Sequence, residues 1–383
     1  MPVQWSSAHC GGAWIISGYD EVAHALRDPR FSVRRAARWI NSGLGLHTAD
    51  SHAQLRFKRI FSRSLLFLDG RAHRRLRGIL QPGFKPAQLA QLAPVISRLT
   101  DALIDDIAKD GSARKGFDFV SRFARPLPAQ VIASLMGLPA RGPQAFIDWA
   151  ADLATFIGSP TPDTALTEAA QQAMQALCDY FAEVLQTPTQ LDPHGLAVRL
   201  LEAQQQQAIT QVELLAQCST LLFAGYETTR NLLGNGLLAL LRHPEQWAAL
   251  QAHPQGLRNA VREMLRYDSP VQYTGRRLLD DVELHGQLLR RGELAILHIG
   301  QANHDERRFS DAGRFDISRD EGMHLSFGQG PHVCLGAALT QMEAEIAFGA
   351  LMRAFPTLAL GNEPPIWQPA GAYRALQGLA LVF

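Results

Sequence analysis

The sequence has few cysteines, almost no net charge and no long apolar run. Four cysteines occur in 383 residues, and none forms a C-x-x-C pair, which argues against a structural zinc site or a disulfide framework. Lysine and arginine (37) nearly balance aspartate and glutamate (36), so no overall field attracts nucleic acid. No stretch approaches the roughly 20 apolar residues that span a bilayer, and the start lacks the pattern of a signal peptide. We therefore expect a soluble, cytoplasmic protein that binds neither nucleic acid nor membrane.

Hydrophobic residues make up 46% of the chain, which is enough for a large core, and no linker separates one part from another. Helical periodicity dominates, so we expect a single, mainly α domain over residues 1–383 with a small β portion. Short strands are predicted at Val3–Trp5, Trp14–Ser17, Val282–His285 and Leu294–Ile299, of which the last two would share a small sheet, and the segment Trp367–Phe383 reads as a hairpin.

A glycine-rich stretch, FGQGPHVCLG, extends from Phe327 to Gly336 and leads into a predicted helix. Glycine lets the backbone approach a flat ligand closely, and the start of a helix favours a thiolate at Cys334. That thiolate could be a catalytic nucleophile, a zinc ligand helped by His324 and His332, or the axial ligand of a haem. An inert buried cysteine is the remaining alternative.

The longest predicted helix begins at Thr210, where Thr210 and Glu213 form a capping box, and ends near Arg242. Polar residues interrupt its apolar stripe at the centre, in the sequence AGYETT. Buried hydroxyls and carboxylates are costly unless they are satisfied. A lone threonine there would usually bond back to its own helix.

Two pairs have helical spacing. His73 and Arg77 are four residues apart, and Glu263 and Arg266 are three apart, so each pair shares a helix face. Taken alone, both are ordinary for exposed helices.

Two further segments allow two interpretations each. Ser32–Leu68 is rich in arginine and lysine, so it is either a solvated basic loop or a contact for an acidic group on a substrate. An apolar stripe between Phe146 and Ile157 is either core or a lid over a site.

Together these motifs resemble the cytochrome P-450 family, the haem-thiolate monooxygenases. The resemblance covers nearly the whole chain in the right order. It is carried by the H-x-x-x-R pair, the A-G-x-E/D-T-T element at Ala224–Thr229, the E-x-x-R pair and the haem-binding loop, which matches at Phe327, Gly328, Gly330, His332, Cys334 and Gly336. Bacterial members usually carry a further helix before the first strand, and this sequence departs from them there.

The resemblance implies that haem b, iron protoporphyrin IX, is the cofactor and that Cys334 is the proximal iron ligand. Phe327 would pack beside the sulfur, and Gly336 would complete the loop. The haem propionates would be held by His73, Arg77, His332 and Arg276.

In the long helix, the resemblance implies that Ala224 and Gly225 border the oxygen site and that Gly225 leaves room for dioxygen. Thr228 would hydrogen-bond the oxygen being activated, and Glu227 would link it to a proton supply. Glu263 and Arg266 would form a structural core pair.

The implied reaction inserts one oxygen atom of O₂ into a small organic molecule of specialised-metabolite, terpenoid or fatty-acid type, by hydroxylation or epoxidation. That molecule could be anionic or carrier-bound. Electrons would come from NAD(P)H through a reductase and an iron–sulfur ferredoxin, steered by Arg71, Arg74 and Arg75. The alternatives are a peroxide-using haem-thiolate enzyme and a haem protein that only binds or senses a ligand.

Overall fold

The computed structural model describes residues 1–9, 11–35, 52–111, 116–139, 143–159, 161–369 and 371–383. Helices dominate these ranges, as the sequence predicts. The α-helices are α1 Tyr19–Arg27, α2 His52–Phe61, α3 Gly70–Leu80, α4 Pro86–Lys109, α5 Pro126–Met136, α6 Pro143–Gly158, α7 Thr164–Val184, α8 Leu196–Gln205, α9 Gln211–Arg242, α10 Pro244–Ala252, α11 Leu257–Tyr267, α12 Ile299–Ala302 and α13 Ala337–Ala354. No helix in the described ranges combines the length and the apolar character needed to cross a membrane.

The strands are short and belong to several small sheets. They are β1 Val3–Ser6, β2 Ala13–Ile16, β3 Phe31–Ser32, β4 Phe117–Asp118, β5 Thr274–Leu278, β6 Val282–Leu284, β7 Gln287–Leu289, β8 Leu294–Leu297, β9 Ala359–Leu360, β10 Ile366–Trp367, β11 Leu376–Gly378 and β12 Ala380–Val382. The largest sheet has the order β1-β2-β8-β5-β3, in which β2 and β8 run parallel.

The predicted sheet of Val282–His285 with Leu294–Ile299 is wrong. β6 pairs with β7 in a hairpin, and β8 instead lies between β2 and β5. His285 and Gly286 have φ of 51° and 71°, the left-handed conformation that a two-residue hairpin turn requires. The chain therefore turns back at once.

Helix α9 is the central element. Thr210 caps it, with the Thr210 hydroxyl accepting from the Glu213 N–H and the Glu213 carboxylate accepting from the Thr210 N–H. Helices α5, α6, α7, α8, α11 and α13 contact it. Leu221 and Gly225 are only partly buried, although both lie on the predicted apolar stripe, because they line an internal cavity.

The pair Glu263–Arg266 lies in contact inside the core, with each side chain 2% exposed. Two hydrogen bonds of 2.7 and 2.8 Å join them. Arg266 also donates to the carbonyls of Asn303, Ala312 and Arg314 at 2.8–3.0 Å. The pair thereby fixes the irregular segment that leads to the glycine-rich loop.

Candidate active site

A cavity of about 950 Å³ lies between α9, α3, α5, β5, the glycine-rich loop and the start of α13. Its wall is mostly apolar, with a few polar side chains among leucine, isoleucine, valine and phenylalanine. A large, mostly apolar cavity with polar groups placed in its wall is typical of a ligand site.

The glycine-rich loop folds so that Cys334 lines the cavity. Gly328 and Gly330 have φ of 68° and 72°, a conformation that side chains other than glycine rarely adopt. The Cys334 N–H donates to the Phe327 carbonyl at 2.8 Å, which closes the loop, and Gly336 is the N-cap of α13. The sequence therefore places Cys334 correctly, just before a helix.

The Cys334 side chain is exposed to the cavity, and its surroundings act on its pKa in opposite directions. Burial raises the pKa of Cys334, although the N–H of Gly336, the charge of Arg77 and the N–H of Ala337 lower it. A metal cation on the sulfur would reverse this balance, since coordination deprotonates a thiol. A zinc cluster is not the explanation in the described residues, because no three His, Cys, Asp or Glu side chains there come together to hold a metal.

His73 and His332 meet at one end of the cavity, with ring centroids 4.1 Å apart. His73 is buried, and its Nε2 has no hydrogen-bond partner. Burial, reinforced by the nearby His332 and Arg77 charges, lowers the pKa of His73 to about 4. An unpartnered ring nitrogen beside a cation suits the carboxylate of a bound molecule.

Sequence reasoning missed Asp69, which holds His332. The two side chains are 3.2 Å apart, from His332 Nε2 to Asp69 Oδ1, and Ser32 donates to the same carboxylate at 2.5 Å. Asp69 is the N-cap residue of α3, and that position was the available signal.

Arg276 is buried at the cavity wall, whereas its neighbour Arg277 is half-buried. It donates to the Thr274 hydroxyl at 3.0 Å and the Gly275 carbonyl at 2.9 Å. No carboxylate in the described part of the chain pairs with it, and burial, with a smaller effect of Arg35, lowers its pKa to about 9. A buried cation without a counter-charge is costly, so this position fits a bound anion.

The threonines of α9 reach the cavity while the helix continues unbroken. The Thr228 hydroxyl donates to the Ala224 carbonyl at 3.3 Å, the bond back to its own helix that a lone threonine favours. The Thr229 hydroxyl lies 3.3 Å from the Gly225 carbonyl and 3.4 Å from the Thr340 hydroxyl of α13. Both threonines line the cavity.

Glu227 does not line the cavity. It is 1% exposed and accepts from Arg230 at 2.8 Å and from Asn231 at 3.3 Å, while its Oε2 has no partner. Burial raises its pKa, although Arg230 opposes that effect. The structure therefore does not bring Glu227 and Thr228 together on the cavity wall.

The space that Gly225 leaves on α9 is occupied. A Cβ there would lie 2.5 Å from Cδ1 of Ile132 on α5. The glycine therefore admits the Ile132 side chain at the cavity wall.

Glu343 of α13 is the second residue that sequence reasoning missed. It lines the cavity, is 2% exposed, and its Oε1 has no hydrogen-bond partner. Burial raises its pKa to about 8. Its spacing of four from Leu339 and Ala347 puts it on the apolar face of α13, and that pattern could have identified it.

The two ambiguous segments are now placed in part. Within Ser32–Leu68, Arg35 lines the cavity and Arg56 pairs with Asp179, while residues 36–51 lie outside the described ranges. In the other segment, the core interpretation is confirmed for Phe146, Leu153 and Phe156, and Ile157 lines the cavity.

The three cations predicted to steer a redox partner, Arg71, Arg74 and Arg75, are all exposed on α3. Arg75 also forms an ion pair with Glu213 of α9 and donates to the Ala208 carbonyl.

A family model described as Cytochrome P-450 matches residues 45–371. The biotin biosynthesis cytochrome P-450 of Bacillus subtilis (strain 168) is 35% identical over 370 residues, which is 97% of this chain and 90% of that protein. The cytochrome P-450 monooxygenase PikC of Streptomyces venezuelae is 35% identical over 375 residues, which is 96% of this chain and 84% of that protein.

Among solved structures, P450BioI in complex with an acyl carrier protein ligated to hexadec-9Z-enoic acid superposes with a TM-score of 0.90 at 32% identity. The match covers 100% of this chain and 95% of that one.

Proposed function

The chain belongs to the cytochrome P-450 family and is a haem-dependent oxidoreductase; from that premise we propose that it inserts one oxygen atom of O₂ into a C–H or C=C bond of a small organic substrate. NAD(P)H would supply the electrons through a reductase and a ferredoxin in the cytoplasm. The observation that carries the proposal is that Cys334 and Thr228 line one large, mostly apolar cavity.

The residues at the cavity wall suit haem b. Cys334 would ligate the iron, and Phe327 and Gly336 would shape the loop around the ligand. The propionates would meet the unpartnered Nε2 of His73 and the buried, uncompensated charge of Arg276. Further contacts would come from Arg77 and His332. The bound haem supplies oxygen activation, which the protein side chains cannot perform by themselves.

The other side chains orient substrate and control protons. Thr228 presents a hydroxyl at the cavity wall, and its bond to the Ala224 carbonyl fixes the direction of that hydroxyl. A bound substrate that covers the apolar part of the wall would displace water there, which would strengthen each hydrogen bond made inside the cavity.

The substrate class we propose is a long apolar chain that ends in a carboxylate. Leu65, Leu66 and Phe67 line the cavity, and the guanidinium of Arg35 lies 5.3 Å from the Phe67 ring centroid. Arg35 would therefore face the acidic end of a chain lying along these apolar residues. One structural neighbour was solved with a carrier-ligated fatty acid.

Titration with hexadec-9Z-enoic acid and with the matching alcohol, read as the spectral shift of the haem, tests this class. We expect Arg35→Gln to weaken binding of the acid by about tenfold, the low end for a hydrogen bond to a charged group, and to leave binding of the alcohol unchanged. Arg34→Gln is the matched control, because Arg34 is exposed and does not line the cavity. Equal losses for acid and alcohol would reject the carboxylate contact.

A turnover assay distinguishes the proposed monooxygenase from the two alternatives, a peroxide-using enzyme and a protein that only binds or senses a ligand. NADPH with a surrogate reductase and ferredoxin should yield more hydroxylated or epoxidised product than peroxide alone yields. Product from peroxide only would indicate the peroxide-using enzyme. Spectral binding without product under either condition would indicate a ligand-binding or sensor protein.

A further inference from the structure

We propose that Gln217 of α9 is a positioning residue that determines which carbon of the substrate is oxidised. It would act by fixing the rim, residues 63–67, which forms part of the cavity wall and carries the aromatic ring that Arg35 contacts. The inference deepens the proposed function and rests on it, because a position of oxidation exists only if the enzyme inserts oxygen into a chain that is held at one end.

Gln217 joins the rim to α9 through both ends of its amide group. The Leu65 N–H donates to the amide Oε1 at 3.0 Å, and the amide Nε2 donates to the Arg63 carbonyl at 2.7 Å. Gln217 is 1% exposed and lines the cavity. Because an N–H can only donate and a carbonyl can only accept, these two partners fix the orientation of the amide.

The rim depends on Gln217 for its link to a distant element. Leu65 begins a short 3₁₀-helix, Leu65–Phe67, and the first N–H groups of a helix have no partner inside it. The Ser64 hydroxyl accepts from the Leu66 N–H at 3.2 Å, which leaves the Leu65 N–H for Gln217. Within the described part of the chain, every other hydrogen bond of residues 62–68 joins positions at most four apart.

The rim contacts the space in which the substrate chain would lie. Leu65, Leu66 and Phe67 line the cavity, and the guanidinium of Arg35 lies 5.3 Å from the Phe67 ring centroid. On α2, the Phe61 ring packs against Phe67, with centroids 4.7 Å apart. A shift of the rim would therefore move the apolar wall and also displace the ring against which Arg35 lies.

Helix α9 relates the rim to the reacting end of the cavity. Thr228 follows Gln217 by eleven residues on this helix, which is about 16 Å along the axis at 1.5 Å per residue. A rim that is tied to α9 keeps a constant distance from the Thr228 hydroxyl at the cavity wall. For a chain anchored by its acid end near the rim, a constant distance presents the same carbon at each turnover.

Paramagnetic relaxation of bound hexadecanoic acid tests the position of the chain without turnover. In the ferric, haem-loaded protein, the relaxation rate of each chain carbon reports its distance from the iron. We expect one group of adjacent carbons to relax fastest in wild type. Gln217→Met keeps the length of the side chain and removes both hydrogen bonds, so it should flatten the gradient of relaxation rates along the chain.

The product distribution tests the consequence for the reaction. Hexadecanoic acid has chemically similar methylene groups, so the ratio of its hydroxylated products reports the position of the chain. In Gln217→Met, the ratio of the major product to its neighbours should fall by roughly tenfold, the value of one or two net hydrogen bonds.

Asn259→Leu is the matched control. Asn259 of α11 donates to the carbonyls of Ile317 and Arg319, at 2.7 and 3.0 Å, and does not line the cavity. This variant also loses two hydrogen bonds from an amide to a distant segment, but it should keep the wild-type product ratio. An equal fall in Asn259→Leu would mean that general loosening changes the ratio, and the proposal would be overturned.

The proposal also fails if Gln217→Met keeps the wild-type ratio, or if all chain carbons relax alike in wild type. Should Gln217→Met not bind haem, Gln217→Asn decides, because its amide is one methylene too short to hold both partners; a wild-type ratio there would overturn the proposal. Absence of product from wild type would contradict the proposed function instead, and the relaxation rates would still show whether Gln217 positions the chain.

Discussion

Replacing Glu263 with glutamine should destabilise the protein because it removes the charge that balances Arg266. Glu263 accepts two hydrogen bonds from Arg266, one from the Asp316 N–H at 2.9 Å and one from Arg319 at 3.3 Å. Breaking a buried pair on one side costs about 3–5 kcal/mol. Glutamine keeps the shape and one acceptor oxygen, so we expect the lower value, about 3 kcal/mol.

The size of the protein sets the expected shift in Tm. An unfolding entropy of about 2.1 cal/mol/K per residue gives about 0.8 kcal/mol/K for a chain of this length, so a loss of about 3 kcal/mol lowers Tm by about 4 °C. Circular dichroism and loss of the haem absorption, followed together during heating of the holoprotein, measure it.

Asp105→Asn is the matched control. Asp105 forms an exposed pair with Lys109, with side chains 66% and 78% exposed, and such pairs contribute about 0–1 kcal/mol. Its Tm should therefore change by about 1 °C or less. A Glu263→Gln protein whose Tm falls by no more than that of Asp105→Asn would refute the reasoning.

Three further predictions concern the site and its surroundings. Cys334→Ser should lose the red-shifted absorption of the reduced carbon monoxide complex, and retention of that band would exclude Cys334 as the ligand. Thr228→Ala should keep haem and substrate binding but divert electrons into peroxide, so coupling equal to wild type would contradict its role. Burial, with the nearby Arg262 and Arg266 charges, lowers the pKa of His324 to about 3 in the folded protein, whereas a histidine in the unfolded chain has a pKa of about 6.5. Between these two values only the unfolded chain binds the proton. Wild type therefore loses stability as pH falls from about 6.5 towards 3, by up to about 1.4 kcal/mol per pH unit. His324→Gln should lose less stability between pH 7 and pH 5 in chemical denaturation, and an unchanged difference would contradict the assignment.

The sequence predicts the elements that depend on local chemistry. The capping box at Thr210, the helical spacing of Glu263 and Arg266 and the position of Cys334 before a helix all correspond to what the structure shows. Each depends on residues within a few positions of one another, so one stretch of sequence contains the whole signal.

The features that depend on distant residues were missed or misplaced. The pairing of β6 and β8 depends on which strand lies beside β2, and Glu343 is unusual only because distant helices bury it. The pairing of Glu227 with Arg230 is an exception, because it is local: the two residues are three apart on one helix, the spacing that predicted the pair Glu263–Arg266, and the sequence reasoning overlooked it. A sequence motif identifies candidate residues, but three-dimensional packing decides which of them reach the ligand.

The close approach at Gly330 has a consequence for the order of assembly. A Cβ there would lie 2.9 Å from the Leu26 carbonyl, so the loop that carries Cys334 seats directly on α1, some three hundred positions earlier in the chain. A contact between segments so far apart forms late in folding. Both partners exist only after residue 330 has been synthesised, so we expect iron to be captured after that point and not before it.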